Sequence, residues 1–289
     1  MFKRFIVATD LSPASFAVVN CLGELKAFGG EECLLLQCLS FKDAASEALS
    51  YSTEKLEGML NEQKKILEDQ EFRVEARTVV GTPKHEIVRI AAGENYDLIV
   101  VGAQGQSLIE EKLIGGVAYG VISRTEKPVL VIPVEPSEEE NTCRPVARSR
   151  FGLHVLFATD FSEMADNAFT FVEQMVSHGV GKVTLVHVLN KSRFEDSLEQ
   201  LTDLSERAVE RLKSLKQKLP AQDKSLIDTV VTYGVPYQEI TGLAMERDAQ
   251  LVVMGTQGRG FIGEFFLGSV SHNVVRHSVA PVLLIPVPR

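Results

Sequence analysis

The sequence predicts an α/β protein of two tandem domains, each a doubly wound five-stranded parallel sheet. Three observations carry this prediction. The chain repeats itself after about 150 residues, and within each copy short β-branched runs alternate with longer helical patterns. Several of the short runs are also apolar throughout, as strands covered on both faces are.

The repeat can be followed along the chain. Phe5-Ile6-Val7-Ala8-Thr9-Asp10 returns as Val155-Leu156-Phe157-Ala158-Thr159-Asp160, and Leu34–Leu39 returns as Thr184–Leu189, both 150 residues later. Gly81-Thr82-Pro83 then matches Gly234-Val235-Pro236, Gly102-Ala103-Gln104-Gly105 matches Gly255-Thr256-Gln257-Gly258, and Pro128–Val134 matches Pro281–Val287, now at an offset of 153. The difference, 153 − 150, places a net insertion of three residues between Leu189 and Gly234. The expected division is a first domain over 1–134, a linker over 135–150 and a second domain over 151–289. Charge and prolines in Glu135–Arg150 mark it as solvated. Its acidic run Glu138-Glu139-Glu140 could serve as a docking element, but such runs mostly face water.

In the first copy the strands are expected near 4–9, 33–39, 73–80, 97–102 and 128–134; in the second, near 153–159, 182–189, 226–233, 250–255 and 281–287. Ser12-Pro13 supplies a capping hydroxyl and a proline at the first helical position, and Gly29-Gly30 is expected to end that helix. In the second copy Leu198, Leu201, Leu204, Ala208, Leu212 and Leu215 recur at helical spacing before Pro220, and this stripe reads as core.

The chain's 289 residues suffice for two cores, and 45% hydrophobic with 24% charged residues is ordinary for a globular protein. A net charge of −9, from 30 basic and 39 acidic residues, gives no overall footprint for nucleic acid or an anionic membrane. No run approaches the ~20 apolar residues of a membrane span, and Met1-Phe2-Lys3-Arg4 leads into a strand, so a cytoplasmic location is expected. Cys21, Cys33, Cys38 and Cys143 form no CxxC pair; the first three read as small core residues and Cys143 as a linker thiol.

Gly255-Thr256-Gln257-Gly258-Arg259 and the run on to Gly268-Ser269 lie between the apolar run Leu251–Met254 and a helical pattern. Gly255 and Gly258 offer positive φ and bare backbone, while Gly268 and Ser269 offer N–H groups, a hydroxyl and the positive end of a helix to an anion. Arg259 would add a charge-assisted contact. Glycines also make plain tight corners, and short glycine motifs are weak evidence alone. The spacing is more specific: GxxG, nine residues, then Gly-Ser resembles the nucleotide-binding signature of the universal stress protein family. Ala158-Thr159-Asp160-Phe161-Ser162 and the tail Pro281–Pro286 extend the resemblance over the whole second half.

The resemblance implies a Rossmann-like tandem universal stress protein that binds ATP, with Mg or Mn on the phosphates, and works as a stress-response regulator through an unknown protein partner. It implies ligand contacts from Ala158, Thr159, Asp160, Val188, Met254, Gly255, Gly258, Gly268, Ser269 and Val270, alongside Arg259. Asp160 could otherwise merely cap the helix opening at Ser162. His187, in the apolar run Val183–Leu189, reads as a satisfied strand residue before a catalytic one, and His272 and His277 as surface or interface positions. No Walker lysine motif or serine elbow is present, so no catalytic residue is assigned. The alternatives are a slow ATP hydrolase and a structural module that binds no nucleotide.

The first copy keeps Asp10, Gly102, Gly105 and Gly115, but Gly116 replaces the serine, Gln106 replaces Arg259, Gln37-Cys38 replaces His187-Val188, and Glu110-Glu111 adds negative charge. Its site is expected to be degenerate. Family dimers pair through their last strand, so the halves are expected to form an intrachain pseudo-dimer through Val129–Val134 and Val282–Val287, with a homodimer a further option. Halves that separate on a sizing column after the linker is cut would overturn that arrangement.

Overall fold

The structure, a computed structural model, describes residues 1–40, 49–104, 114–137, 142–146, 154–190, 198–220, 224–258 and 267–286, leaving aside the side chains of 49–53 and 198–200. It divides into two compact units, Met1–Ser149 and Arg150–Arg289.

In the first unit, β1 (Arg4–Thr9), β2 (Glu32–Leu39), β3 (Arg73–Val80), β4 (Leu98–Gly102) and β5 (Val129–Ile132) form a parallel sheet in the order β5-β4-β1-β2-β3. The helices are α1 (Pro13–Asn20), α2 (Leu49–Asp69), α3 (Pro83–Gly93) and α4 (Gly116–Ile122). The chain leaves β1 toward β2 on one side and later returns to its other side at β4. Strand order therefore reverses at β1, where open α/β sheets form their binding crevice. The expected strands are all present, with ends shifted by one or two residues.

The first helix is shorter than its pattern suggests. Ser12 caps it, accepting from the Ser15 N–H at 3.3 Å, but α1 stops at Asn20 and the chain tightens into a 3₁₀ turn over Leu22–Phe28. Gly29 closes that turn at φ 84°, in the left-handed region. Gly23 passes close to Gln70, so that a Cβ there would lie 3.3 Å from Oε1. Beyond β5, β6 (Val134–Pro136) pairs antiparallel with β7 (Cys143–Pro145), inside the stretch read as linker, and Glu135 meets Arg144 at 3.0 Å. Glu138–Asn141 lie outside the described residues.

In the second unit, β8 (His154–Ala158), β9 (Lys182–Asn190), β10 (Ile227–Gly234), β11 (Leu251–Gly255) and β12 (Val282–Ile285) are ordered β10-β9-β8-β11-β12, all parallel. The reversal falls at β8. The helices are α5 (Glu163–Ser177), α6 (Leu198–Lys218), α7 (Pro236–Glu246) and α8 (Ser269–His277). β8, β11 and β12 are buried along their whole length, as their apolar sequences require. Among the described residues no helix is long and apolar enough to cross a membrane. Cys21 and Cys33 are buried, which pushes the Cys21 thiol up to about 12 and Cys33 higher still; Cys38 is only half-buried.

His154 opens β8 in a buried position, its Nδ1 3.0 Å from the Arg247 carbonyl and its Nε2 2.9 Å from Thr184 Oγ1. Burial, with Lys182 nearby, lowers its pKa and holds the ring neutral. The unfolded chain takes up the proton near the ordinary value of about 6.5, whereas the folded chain resists until lower pH. This contribution to stability is thus complete above pH ~6.5 and declines as pH falls below it. Urea midpoints are expected to drop between neutral pH and mildly acidic pH, and His154→Asn to show a shallower dependence.

Candidate functional site

At the end of β8 the backbone turns sharply. Phe161 has φ 60°, as Leu11 has φ 58° at the corresponding turn of the first unit. A non-glycine residue there costs of order 1–3 kcal/mol unless its surroundings enforce it. Here side chains do so: Thr159 Oγ1 accepts from the Phe161 N–H at 2.9 Å, and Asp160 Oδ1 accepts from the Ser162 N–H at 3.0 Å and from Ser162 Oγ at 2.6 Å. Ser162 Oγ in turn accepts from the Ala165 N–H at 3.2 Å and starts α5. Asp160 therefore braces the cap, while its Oδ2 faces Gly258 across the mouth of the crevice.

Around this turn lies a cavity of about 670 Å³, within the ~300–1,000 Å³ of small-molecule sites. From β8 it takes Ala158, Thr159 and Asp160, and from the end of β9, Val188. Met254, Gly255 and Gly258 line it from β11 and the following turn, and Gly268, Ser269 and Val270 from the start of α8. Ten of the eleven positions expected from the sequence thus face one space. Arg259 lies outside the described residues, as do Gly105, Gln106, Glu110 and Glu111.

The glycines act differently from the expectation. The positive-φ glycines among the described residues are Gly29, Gly81, Gly179 and Gly234, and neither Gly255 nor Gly258 is one of them. What these positions need is the absence of a side chain. A Cβ at Gly258 would stand 2.5 Å from Asp160 Oδ2, and one at Gly255 3.3 Å from the Gln257 carbonyl. Gly268, whose Cβ would lie 3.2 Å from the Thr256 carbonyl, is the N-cap of α8 and provides no side-chain cap. The first N–H groups of α8 therefore open toward the cavity with the positive end of the helix dipole. Ser271 Oγ donates to the Gly255 carbonyl at 3.0 Å and ties α8 to β11.

His187 is both a strand residue and a cavity residue. Its Nδ1 is 2.7 Å from the Thr159 carbonyl, and since a carbonyl only accepts, Nδ1 carries the proton. The ring lies 4.4 Å from that of Phe161, tilted by 30°, and the Arg211 guanidinium lies 4.2 Å from the same Phe161 ring and donates to the Phe161 carbonyl at 3.2 Å. His272 is half-buried with its pKa lowered by burial, and His277 stacks on Tyr237 at 5.3 Å, so the two pack against protein.

Sequence reasoning missed Phe161, Arg207 and Arg211. The two arginines sit one turn apart on α6, where Arg207 pairs with Asp203 at 2.9 Å, and both line the cavity. Their spacing beside the leucine stripe was the available signal. The stripe itself divides: Ala208, Leu212 and Leu215 are core, Ala208 also touching the cavity, whereas Leu204 is part-exposed cavity wall. No group of three His, Cys, Asp or Glu suited to holding a metal occurs among the described residues.

Comparison with known proteins fits this architecture. The family model described as the universal stress protein family matches residues 1–133 and again 153–286. A universal stress protein of Methanocaldococcus jannaschii is 30% identical over 154 residues, 46% of this chain and 95% of that protein. The crystal structure of a universal stress protein from Archaeoglobus fulgidus superposes with a TM-score of 0.69 at 26% identity, covering 98% of this chain and 96% of that one. A functionally unknown protein of Pseudomonas aeruginosa has a TM-score of 0.63 at 14% identity over 99% of this chain and 93% of its own, a likeness of fold alone. With two matched segments that together span nearly the whole chain, this protein belongs to the universal stress protein family.

Proposed function

We propose that the second unit binds an adenine nucleotide, ATP, and that the protein acts as a nucleotide-dependent regulator in a stress response. The observation that carries the reading is the close approach at Gly258, where bare backbone lines a cavity beside a carboxylate and the uncapped start of a helix. Bare backbone leaves room for phosphate oxygens, and N–H groups at a helix start suit them. Asp160 and the end of β9 lie on the other side of the turn, where a base and ribose offer donors to accept. A divalent cation would be held mainly by the phosphates, because the described residues offer it no ligand set of their own. Binding that favours one conformation shifts its population by the difference in affinity alone, and this is how a protein partner would sense the nucleotide.

The test is mass spectrometry of denatured, freshly purified protein, followed by calorimetry with ATP. One nucleotide per chain is expected. Two equivalent sites would overturn the assignment to the second unit, and absence of any binding would leave a structural module. Slow hydrolysis is the alternative within the same site. Turnover no higher than that of a Ser269→Ala variant would exclude it.

A further inference from the structure

The turn that frames the cavity recurs in the first unit, but there a side chain of the protein fills its corner. Thr9, Ser12 and Ser15 correspond, 150 residues earlier, to Thr159, Ser162 and Ala165. Gln63, on α2, is 0% exposed. Its Oε1 accepts from Thr9 Oγ1 at 2.7 Å and its Nε2 donates to Ser15 Oγ at 3.1 Å. In the second unit Thr159 and Ala165 both line the cavity. Thr159 is 6% exposed; its hydroxyl accepts from the Phe161 N–H at 2.9 Å, and among the described residues its proton has no acceptor. The corner that receives a carboxamide in one unit is thus open in the other. Gln37, the counterpart of His187, is likewise turned to protein: it is 5% exposed and its Oε1 accepts from Thr78 Oγ1 at 3.0 Å.

We propose that Gln63 is an internal plug that closes the first unit to nucleosides. The inference rests on reading the second unit's cavity as a nucleotide site. A buried carboxamide is stable only with both poles hydrogen-bonded, and Thr9 and Ser15 meet both. A nucleoside entering the first unit would have to expel that carboxamide from between Thr9 and Ser15, a pair already closed on itself because Thr9 Oγ1 also lies 3.1 Å from Ser15 Oγ. Serine at position 15, where the second unit has alanine, is what gives the plug its second anchor. The single-site stoichiometry then has a cause on the described side of the crevice, independent of the changed glycine loop.

The experiment uses the full chain with the second site disabled by Gly258→Val, and adenosine as the probe, because the phosphate loop of the first unit is altered. Gln63→Ala removes the plug, Gln63→Ser removes its bulk while leaving a small polar side chain on α2, and Gln63→Met keeps the bulk without the amide. Calorimetry is expected to show adenosine binding at least tenfold tighter in the Ala or Ser variant than in the Met variant. Equal affinities in folded Ser and Met variants would overturn the plug, as would two nucleotides bound per unmodified chain. A failure of the second-site reading shows separately, as an unmodified chain that binds no nucleotide. The Gln63 comparison is still readable in that case.

Discussion

Gly258→Val is expected to weaken ATP binding by at least ~100-fold, about 2.7 kcal/mol, with the far-ultraviolet circular dichroism of the protein unchanged. Gly258 is exposed and in no helix or strand, so the fold does not depend on it. A Cβ alone would stand 2.5 Å from Asp160 Oδ2, closer than unbonded atoms approach. The branched side chain must therefore push away either its own loop or the Asp160 carboxylate. The carboxylate is held by the Ser162 N–H and hydroxyl at 3.0 and 2.6 Å, so moving it would also loosen the cap of α5. The loop is the easier element to move, and it is the element that would face the phosphates of the proposed nucleotide. Gly258→Ala should act in the same direction with a smaller loss. Calorimetry giving unchanged affinity in a folded Val variant would remove the phosphate-binding role from this turn.

The architecture was legible because strands covered on both faces must be apolar throughout, and such runs are recognisable without context. Leu98–Gly102 and Leu251–Gly255 stand out by composition alone, and in the first of them all but the glycine are buried. Strand ends were less legible, because hydrogen bonding to neighbours sets them, and composition does not. The first helix was overread, since a helical pattern over 13–28 does not separate an α-helix from one that tightens into a 3₁₀ turn after Asn20.

Within the cavity, glycine spacing picked out residues that line it, but the physical reason for Gly258 is its close approach to Asp160, a residue nearly a hundred positions away in sequence. Arg207 and Arg211 were hidden because the polar side of an amphipathic helix reads as solvated. Only the packing of α6 over β9 and β10 turns that edge toward the cavity. His187 was read as a satisfied strand residue, and its Nδ1 is satisfied by Thr159, yet the ring also lines the cavity. Gln63 left a fainter trace, a polar residue on the same helical face as Leu60 and Leu67, whose burial becomes meaningful only beside Thr9 and Ser15.

Phe157→Ala is expected to destabilise the second unit by about 3–5 kcal/mol, the usual range for removing a buried aromatic ring. Phe157 is 0% exposed one residue before the end of β8, opposite Leu185 on β9 and Val253 on β11, and its ring lies 5.5 Å from that of Phe169 on α5. Neighbours pinned in three elements cannot readily collapse into the space left behind, which favours the upper part of that range. Phe157→Leu, which keeps most of the volume, should cost about 1.5 kcal/mol or less. The strand delivers Thr159 and Asp160 to the cavity, so ligand and core are linked: ATP at a hundredfold excess over its dissociation constant adds about 2.7 kcal/mol to the folded state and should offset part of the Ala variant's deficit. Urea unfolding followed by circular dichroism, with and without ATP, measures both quantities. A deficit under about 1 kcal/mol would mean that Phe157 is not the core residue its burial indicates, and an Ala variant that ATP does not stabilise would show that losing the ring also costs the cavity its ligand.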